Sequence, residues 1–177
     1  MAVAWLIALR TGKSGWIDVI WSFATGVAGA VAALLPLAQS AITTRQAFVA
    51  LLALIWSSRL GFHIAKRTAR GGDDPRYLQL RQEWGEAARI RLFWFLQIQA
   101  LAALVLVGSI MTAAHHPATG FRAVDGLGAA VVIIALTGEA IADRQLSNFR
   151  SNPGNKAEVC DIGLWAFIWS FMKRDQM

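Results

Sequence analysis

Arg59, His63, Lys66, Arg67 and Arg70 recur at spacings of three and four, so a helix carries them on one face. The face begins inside an apolar segment and runs out of it, within the stretch from Ile55 to Gly85. Guanidinium groups offer paired hydrogen bonds to phosphate, and an imidazole such as His63 titrates near neutrality. A second set, Glu139, Asp143 and Arg150, lies at spacings of four and seven. Glu139 stands some eleven residues from Arg150, roughly 16 Å at the helical rise. An ionised group at that depth in a bilayer is costly without a partner. Carboxylates can take ribose hydroxyls or an amide, and arginines can take phosphates, so the two sets together suit a nucleotide cofactor. Neither a GxGxxG fingerprint nor a P-loop is present, so such a site must be built from helix faces. The same residues also suit phospholipid headgroups, and the plainest alternative for either set is interfacial solvation.

Asp18 and Trp21 are three apart and share a face near the start of an apolar run. The ordinary role of Trp21 is that of an interfacial belt residue. A carboxylate at a membrane edge, by contrast, usually has a partner. His115 and His116 are adjacent, with no third ligand at helical spacing, so a solvated loop is expected there and no metal site. The lone cysteine, Cys160, excludes an internal disulfide and reads as a free thiol.

The elements that must position these groups are membrane helices. Of 177 residues 56% are hydrophobic and only 16% charged, against about a quarter charged in soluble domains, and the mean hydropathy is +0.46. Several apolar runs approach the roughly 20 residues that cross a bilayer. The expected fold class is all-α: a polytopic transmembrane bundle with four full spans plus partial helices at each end. The chain reads as one membrane domain over 1–177, with spans at about 16–37, 47–66, 92–114 and 127–149 and partial helices at 1–10 and 164–172. The segment 67–91 reads as a charged amphipathic loop, with a short surface helix whose Leu78, Leu80 and Trp84 are available to the bilayer boundary. No leader of the signal-peptide kind is seen, so the chain is expected to insert through its own helices.

The net charge of +6 does not point to nucleic acid, because the basic residues sit where membrane loops need them. Counted by connection, Lys and Arg number 2, 1, 7, 1 and 3, an alternation that follows the positive-inside rule. Both basic loops, and both charged faces, are therefore expected on the cytoplasmic side, opening into one shared pocket.

The string WSSRLGFHIAKRTARGGDDPRYLQLRQEWG resembles a signature of the bacterial membrane family related to the steroid 5-alpha-reductase C-terminal domain (domain of unknown function 1295). So do Asp18-Val-Ile-Trp21-Ser, the GEAIADRQLSNFR helix and the NPGN–VCDIGLW run, in the family's order, over about residues 5 to 165. The resemblance implies a helical membrane fold that binds NADPH in a cytoplasmic cavity of a bacterial inner-membrane protein. It implies reduction of a carbon–carbon double bond conjugated to a ketone, in a hydrophobic small-molecule substrate. By motif position, Asp143 and Arg150 match nucleotide-contacting residues, and Glu139 stands where relatives often carry asparagine. Arg59, His63, Arg67 and Arg70 match the basic helix end that serves the cofactor's phosphates, and Asp18 and Trp21 match a motif near the substrate end. The glutamine–glutamate pair of steroid-reducing members is absent, so the resemblance does not extend to a steroid substrate. After Gly163-Leu164-Trp165 the family's further motif is replaced by AFIWSFMKRDQM, and the first helix is short, so a member shortened at both ends is expected. Three readings stand: such a reductase, a membrane methyltransferase of the isoprenylcysteine type using S-adenosylmethionine, and a non-enzymatic membrane remnant.

Overall fold

Small residues decide how the first half of the chain packs. Gly15, Ser22, Gly26, Gly29, Ala30 and Ala33 form the buried side of one helix, and Ala50, Ala53, Ser57, Gly61 and Thr68 that of the next. In lipid there is no hydrophobic drive between helices, so close backbone approach across such residues is what holds a pair together. A Cβ on Gly15 would run into Thr68, one on Gly26 into Ser57, and one on Gly61 into the Phe23 ring. From Gly15 to Gly26 the chain advances eleven residues while its partner retreats eleven, from Thr68 to Ser57. The two helices are therefore antiparallel and in register along their whole contact.

The computed structural model describes residues 1–37, 41–71, 74–117, 120–155 and 158–167. Most of these are helical, and among them no strand occurs. In order come α1 (Ala2–Thr11), α2 (Gly15–Leu34), α3 (Thr44–Arg70), α4 (Pro75–Trp84), a 3-10 turn (Gly85–Ala87), α5 (Ala88–Ala114), α6 (Ala123–Ser151) and a second 3-10 turn (Pro153–Asn155). Helices α2, α3, α5 and α6 are long and apolar enough to cross a membrane, as expected from the four apolar runs. The short apolar helix expected at the N-terminus is α1. Of the C-terminal piece expected over 164–172, residues 164–167 are helical and the remainder lies outside the described residues.

Local chemistry sets the ends. Thr43 caps α3: its Oγ1 accepts from the Gln46 N–H, and the Gln46 side chain accepts from the Thr43 N–H. That reciprocal pair starts α3 at Thr44, ahead of the apolar run. At its far end α3 continues past Lys66 to Arg70, because exposed basic side chains leave the backbone ladder intact. Asp74 then caps α4, with Pro75 in the first turn, where its missing N–H costs nothing.

The chain divides into two compact units, Met1–Phe121 and Arg122–Met177. In the first, α1, α2, α4 and α5 meet at a core of Ala4, Ala8, Ile17, Tyr77, Leu92 and Leu96. Leu80 and Trp84 of α4 pack partly against this core instead of standing free for a bilayer boundary as the sequence suggests; Leu78 is exposed. Trp5 ties α1 to α5, donating its indole N–H to the Arg89 carbonyl at 3.1 Å. A second cluster, Ala30, Ala33, Ala50 and Ala114, closes the opposite end of the bundle. In the second unit, Trp165 donates its indole N–H to the Ala142 carbonyl of α6 at 3.0 Å, and the Leu164 N–H bonds Gln145 Oε1 at 3.0 Å.

Candidate functional site

One set of polar groups of the first unit gathers at the end of the bundle where α2 begins, α3 ends and α4 crosses over. Asp18 lies in the first turn of α2 and is half-buried. Its Oδ1 accepts the phenolic hydrogen of Tyr77 at 2.8 Å, and its Oδ2 accepts from Arg76 at 2.7 Å. Arg76 also grips the α4 cap: Nε donates to Asp74 Oδ1 and an Nη to Asp74 Oδ2, both at 3.1 Å. Arg67 of α3 forms an ion pair with the same Asp74 oxygen. Two carboxylates and two guanidiniums thus bind three helices into one chain of charge-assisted bonds, with Tyr77 at its inner end.

Burial grades along this chain. The Asp74 side chain is only 3% exposed, that of Asp18 16%, and that of Arg76 68%. The hydrogen-bonding guanidinium of Arg76 holds the Asp74 carboxyl below the usual carboxylate range, with the nearby charge of Arg67 adding to it. Tyr77 is 3% exposed and its ring packs edge-on against Phe95 of α5. Beside it opens a recess of about 320 Å³, lined by Arg76, Tyr77, Leu80, Glu83, Phe95 and Gln99. A phenol at the wall of a part-apolar recess can polarise a carbonyl oxygen once its single hydrogen turns to that oxygen from Asp18, which Arg76 keeps paired.

Some of the sequence-derived residues meet here and others do not. Asp18, expected near substrate, and Arg67, expected at the cofactor's phosphates, join the same network through Arg76 and Asp74. Trp21 packs between helices, donating its indole N–H to the Gln99 carbonyl at 3.1 Å and meeting Trp56 edge-on. Arg59, His63 and Arg70 lie on the side of α3 turned away from the seam with α2, since at 100° per residue they fall opposite Ser57 and Gly61. Arg59 is half-buried, and His63 and Arg70 are exposed. Glu139, Asp143 and Arg150 follow one another along α6 in the second unit, with Asp143 half-buried and the other two exposed.

Sequence reasoning missed Asp74, Arg76 and Tyr77. An Asp-Pro pair opening a short helix is the available signal for the cap, and a capping Asp followed by Arg places the guanidinium beside it. Nothing in the spacing signals that Tyr77 reaches Asp18 on another helix. His115 is also more than a loop residue. It is half-buried at the end of α5, with Nδ1 2.9 Å from the Met111 carbonyl and Nε2 2.9 Å from the Leu35 carbonyl. Among the described residues no group of His, Cys, Asp and Glu could hold a metal ion.

No curated protein and no solved structure matches the chain. A family model described as "Protein of unknown function (DUF1295)" matches residues 4–169, nearly the whole sequence, and the chain belongs to that family.

Proposed function

We propose that this is an integral membrane protein of the bacterial inner membrane that reduces conjugated carbon–carbon double bonds in lipid-like substrates with NADPH. The relation to the steroid 5-alpha-reductase C-terminal domain is part of the same proposal. The observation that carries it is the buried Tyr77 hydroxyl, bonded to Asp18 at the wall of a recess and at the basic end of the bundle. Reduction of an enone needs a donor at the carbonyl oxygen while negative charge develops there. Tyr77 supplies that donor by turning its single O–H from Asp18 to the substrate oxygen, while Arg76 stays on Asp18 and keeps the carboxylate paired. Leu80 and Phe95 offer the apolar wall for the substrate's carbon skeleton.

The donor set at the end of α3 fits a phosphate-bearing cofactor. His63, Lys66, Arg67 and Arg70 are exposed within two helical turns, and Arg59 follows one turn deeper. NADPH, when bound, supplies the hydride. Lys66 and Arg70 offer charge to its phosphates, and the guanidinium of Arg67, one of whose donors is held by Asp74, keeps others for a ligand. Asp143 and Arg150, with Glu139 beside them, are proposed as nucleotide contacts on the strength of their motif positions alone. The basic loops are proposed to face the cytoplasm from the alternation of Lys and Arg between connections.

The test is thermal melting of the purified full-length protein in detergent with NADPH and, separately, with S-adenosylmethionine. A ligand that binds the folded state raises the melting temperature by mass action. Stabilisation by NADPH and loss of it in Arg67→Ala support the reading. Stabilisation by S-adenosylmethionine alone replaces it with a methyltransferase, and stabilisation by neither at millimolar concentration removes both.

A further inference from the structure

A second recess lies at the same end of the first unit, on the far side of α4 from the Tyr77 recess. It measures about 420 Å³ and is walled by the end of α1, the end of α4 and the start of α5. Leu9 supplies exposed apolar surface, with the core residues Ala8 and Leu92 behind it; Arg81, Glu86 and Arg89 supply charge. Neither the proposed reduction nor the polar network uses it. Trp5, whose indole N–H bonds the Arg89 carbonyl, and Trp84, next in sequence to the lining Gly85, stand beside it.

The charges here are of both signs. Arg81 donates to Ser14 Oγ at 2.8 Å, which fixes its guanidinium against the start of α2, and Arg89 stands in the first turn of α5. A phosphate suits that pair. Glu86 works against a purely anionic ligand. So does the carbonyl end of α1, whose cap residue Gly12 lines the recess, because a helix C-terminus carries partial negative charge, whereas at the α4–α5 junction the end of one helix and the start of the next offset each other. Two guanidiniums, one carboxylate and the C-terminus of α1 beside an apolar rim match a zwitterion that carries both a phosphate and an ammonium, attached to hydrocarbon.

We propose that this recess binds the phosphoethanolamine headgroup of a bilayer aminophospholipid, with the phosphate at Arg81 and Arg89, the ammonium at Glu86 and the end of α1, and the acyl chains leaving along Leu9. A water-soluble phosphoethanolamine compound shares the headgroup chemistry but lacks the chains.

The experiment compares melting of the delipidated full-length protein in detergent with added dioleoyl phosphatidylethanolamine, dioleoyl phosphatidylglycerol or glycerophosphoethanolamine. Phosphatidylethanolamine is expected to stabilise at lower concentration than phosphatidylglycerol, and glycerophosphoethanolamine not at all over the same range. Glu86→Gln, an exposed change that leaves the core intact, is expected to cut the preference for the ethanolamine lipid by up to about fivefold, the scale of a rim ion pair. Arg89→Gln is expected to weaken both lipids. Each preference is a ratio within one variant, so a general loss of stability does not mimic the result. Equal stabilisation by phosphatidylglycerol, or an unchanged preference in Glu86→Gln, overturns the proposal. Equal stabilisation by glycerophosphoethanolamine overturns its lipid part and puts a soluble ligand in the recess. None of these outcomes depends on NADPH.

Discussion

Tyr77 and Asp18 stand 59 positions apart in sequence, and a 2.8 Å hydrogen bond joins them. The bond ties α4 to the first turn of α2 and places a phenol where a recess opens. Replacing Tyr77 with phenylalanine keeps the ring packed on Phe95 and removes only the donor. The expected loss of stability is about 1 kcal/mol. On the proposed reading, in which Tyr77 acts on substrate, reduction of an enone should fall much further than binding of NADPH. Steady-state rates set beside cofactor-induced melting shifts check this, and equal losses in both would make Tyr77 structural.

Arg76 spans two carboxylates, and Arg67 reaches one of them. Arg76→Gln should therefore destabilise more than Arg67→Gln. Asp74 is nearly buried, and a buried carboxylate deprived of its strongest donor costs about 1.5–3 kcal/mol, reduced here because Arg76 itself is largely exposed. Denaturant or thermal unfolding in detergent gives the order. A larger effect from Arg67→Gln would place the main anchor on α3.

Acidification should loosen the same cluster. The folded Asp74 carboxyl titrates below its unfolded value, so its contribution is fully present above about pH 4, the unfolded carboxylate range, and is lost as pH falls through the lowered folded value. Asp74→Asn removes that contribution at every pH. Wild type and variant should differ in melting temperature near neutrality and converge below about pH 4. A constant gap down to the acid limit would show that the Asp74 charge is not what stabilises the α4 cap.

The glycines separate by environment. A side chain on Gly26 would overlap Ser57 on α3, whose Cβ moves only if the helices part, whereas Gly108 on α5 has nothing within 4 Å. Gly26→Val should cost about 1–3 kcal/mol by overpacking. Gly108→Val should be near neutral. Unfolding of the two variants side by side checks the α2–α3 seam, and similar stability in both would break it.

Helix identity was legible because composition alone demands a membrane, and a membrane admits only helices or closed barrels. Helix ends were less so. The α3 run was read as starting at Ala47, yet the Thr43–Gln46 cap starts it at Thr44, and that cap is polar chemistry that a hydropathy window does not weigh. The site was half legible. Asp18 was picked out because a carboxylate at a membrane edge needs a partner, but the partner's identity depends on how α4 folds back. That path follows from the Asp74 cap and from Tyr77, Leu80 and Trp84 seeking the core. Arg67 was grouped with its helix-mates by spacing, whereas a cross-helix carboxylate sets its place in the network.

The seam between α2 and α3 has one more consequence. Because glycine and serine hold the two backbones in step, the angular position of Asp18 is locked to that of Thr68 and hence to the whole turn leading into α4. One residue inserted between Asp18 and Ser22 would rotate the carboxylate by about 100° while the glycine contacts above stayed seated. The barrel of the lock would still close, but the key would face the wrong way: a lineage that tolerates length changes in this turn has given up the Asp18–Tyr77 chemistry, whatever else it keeps.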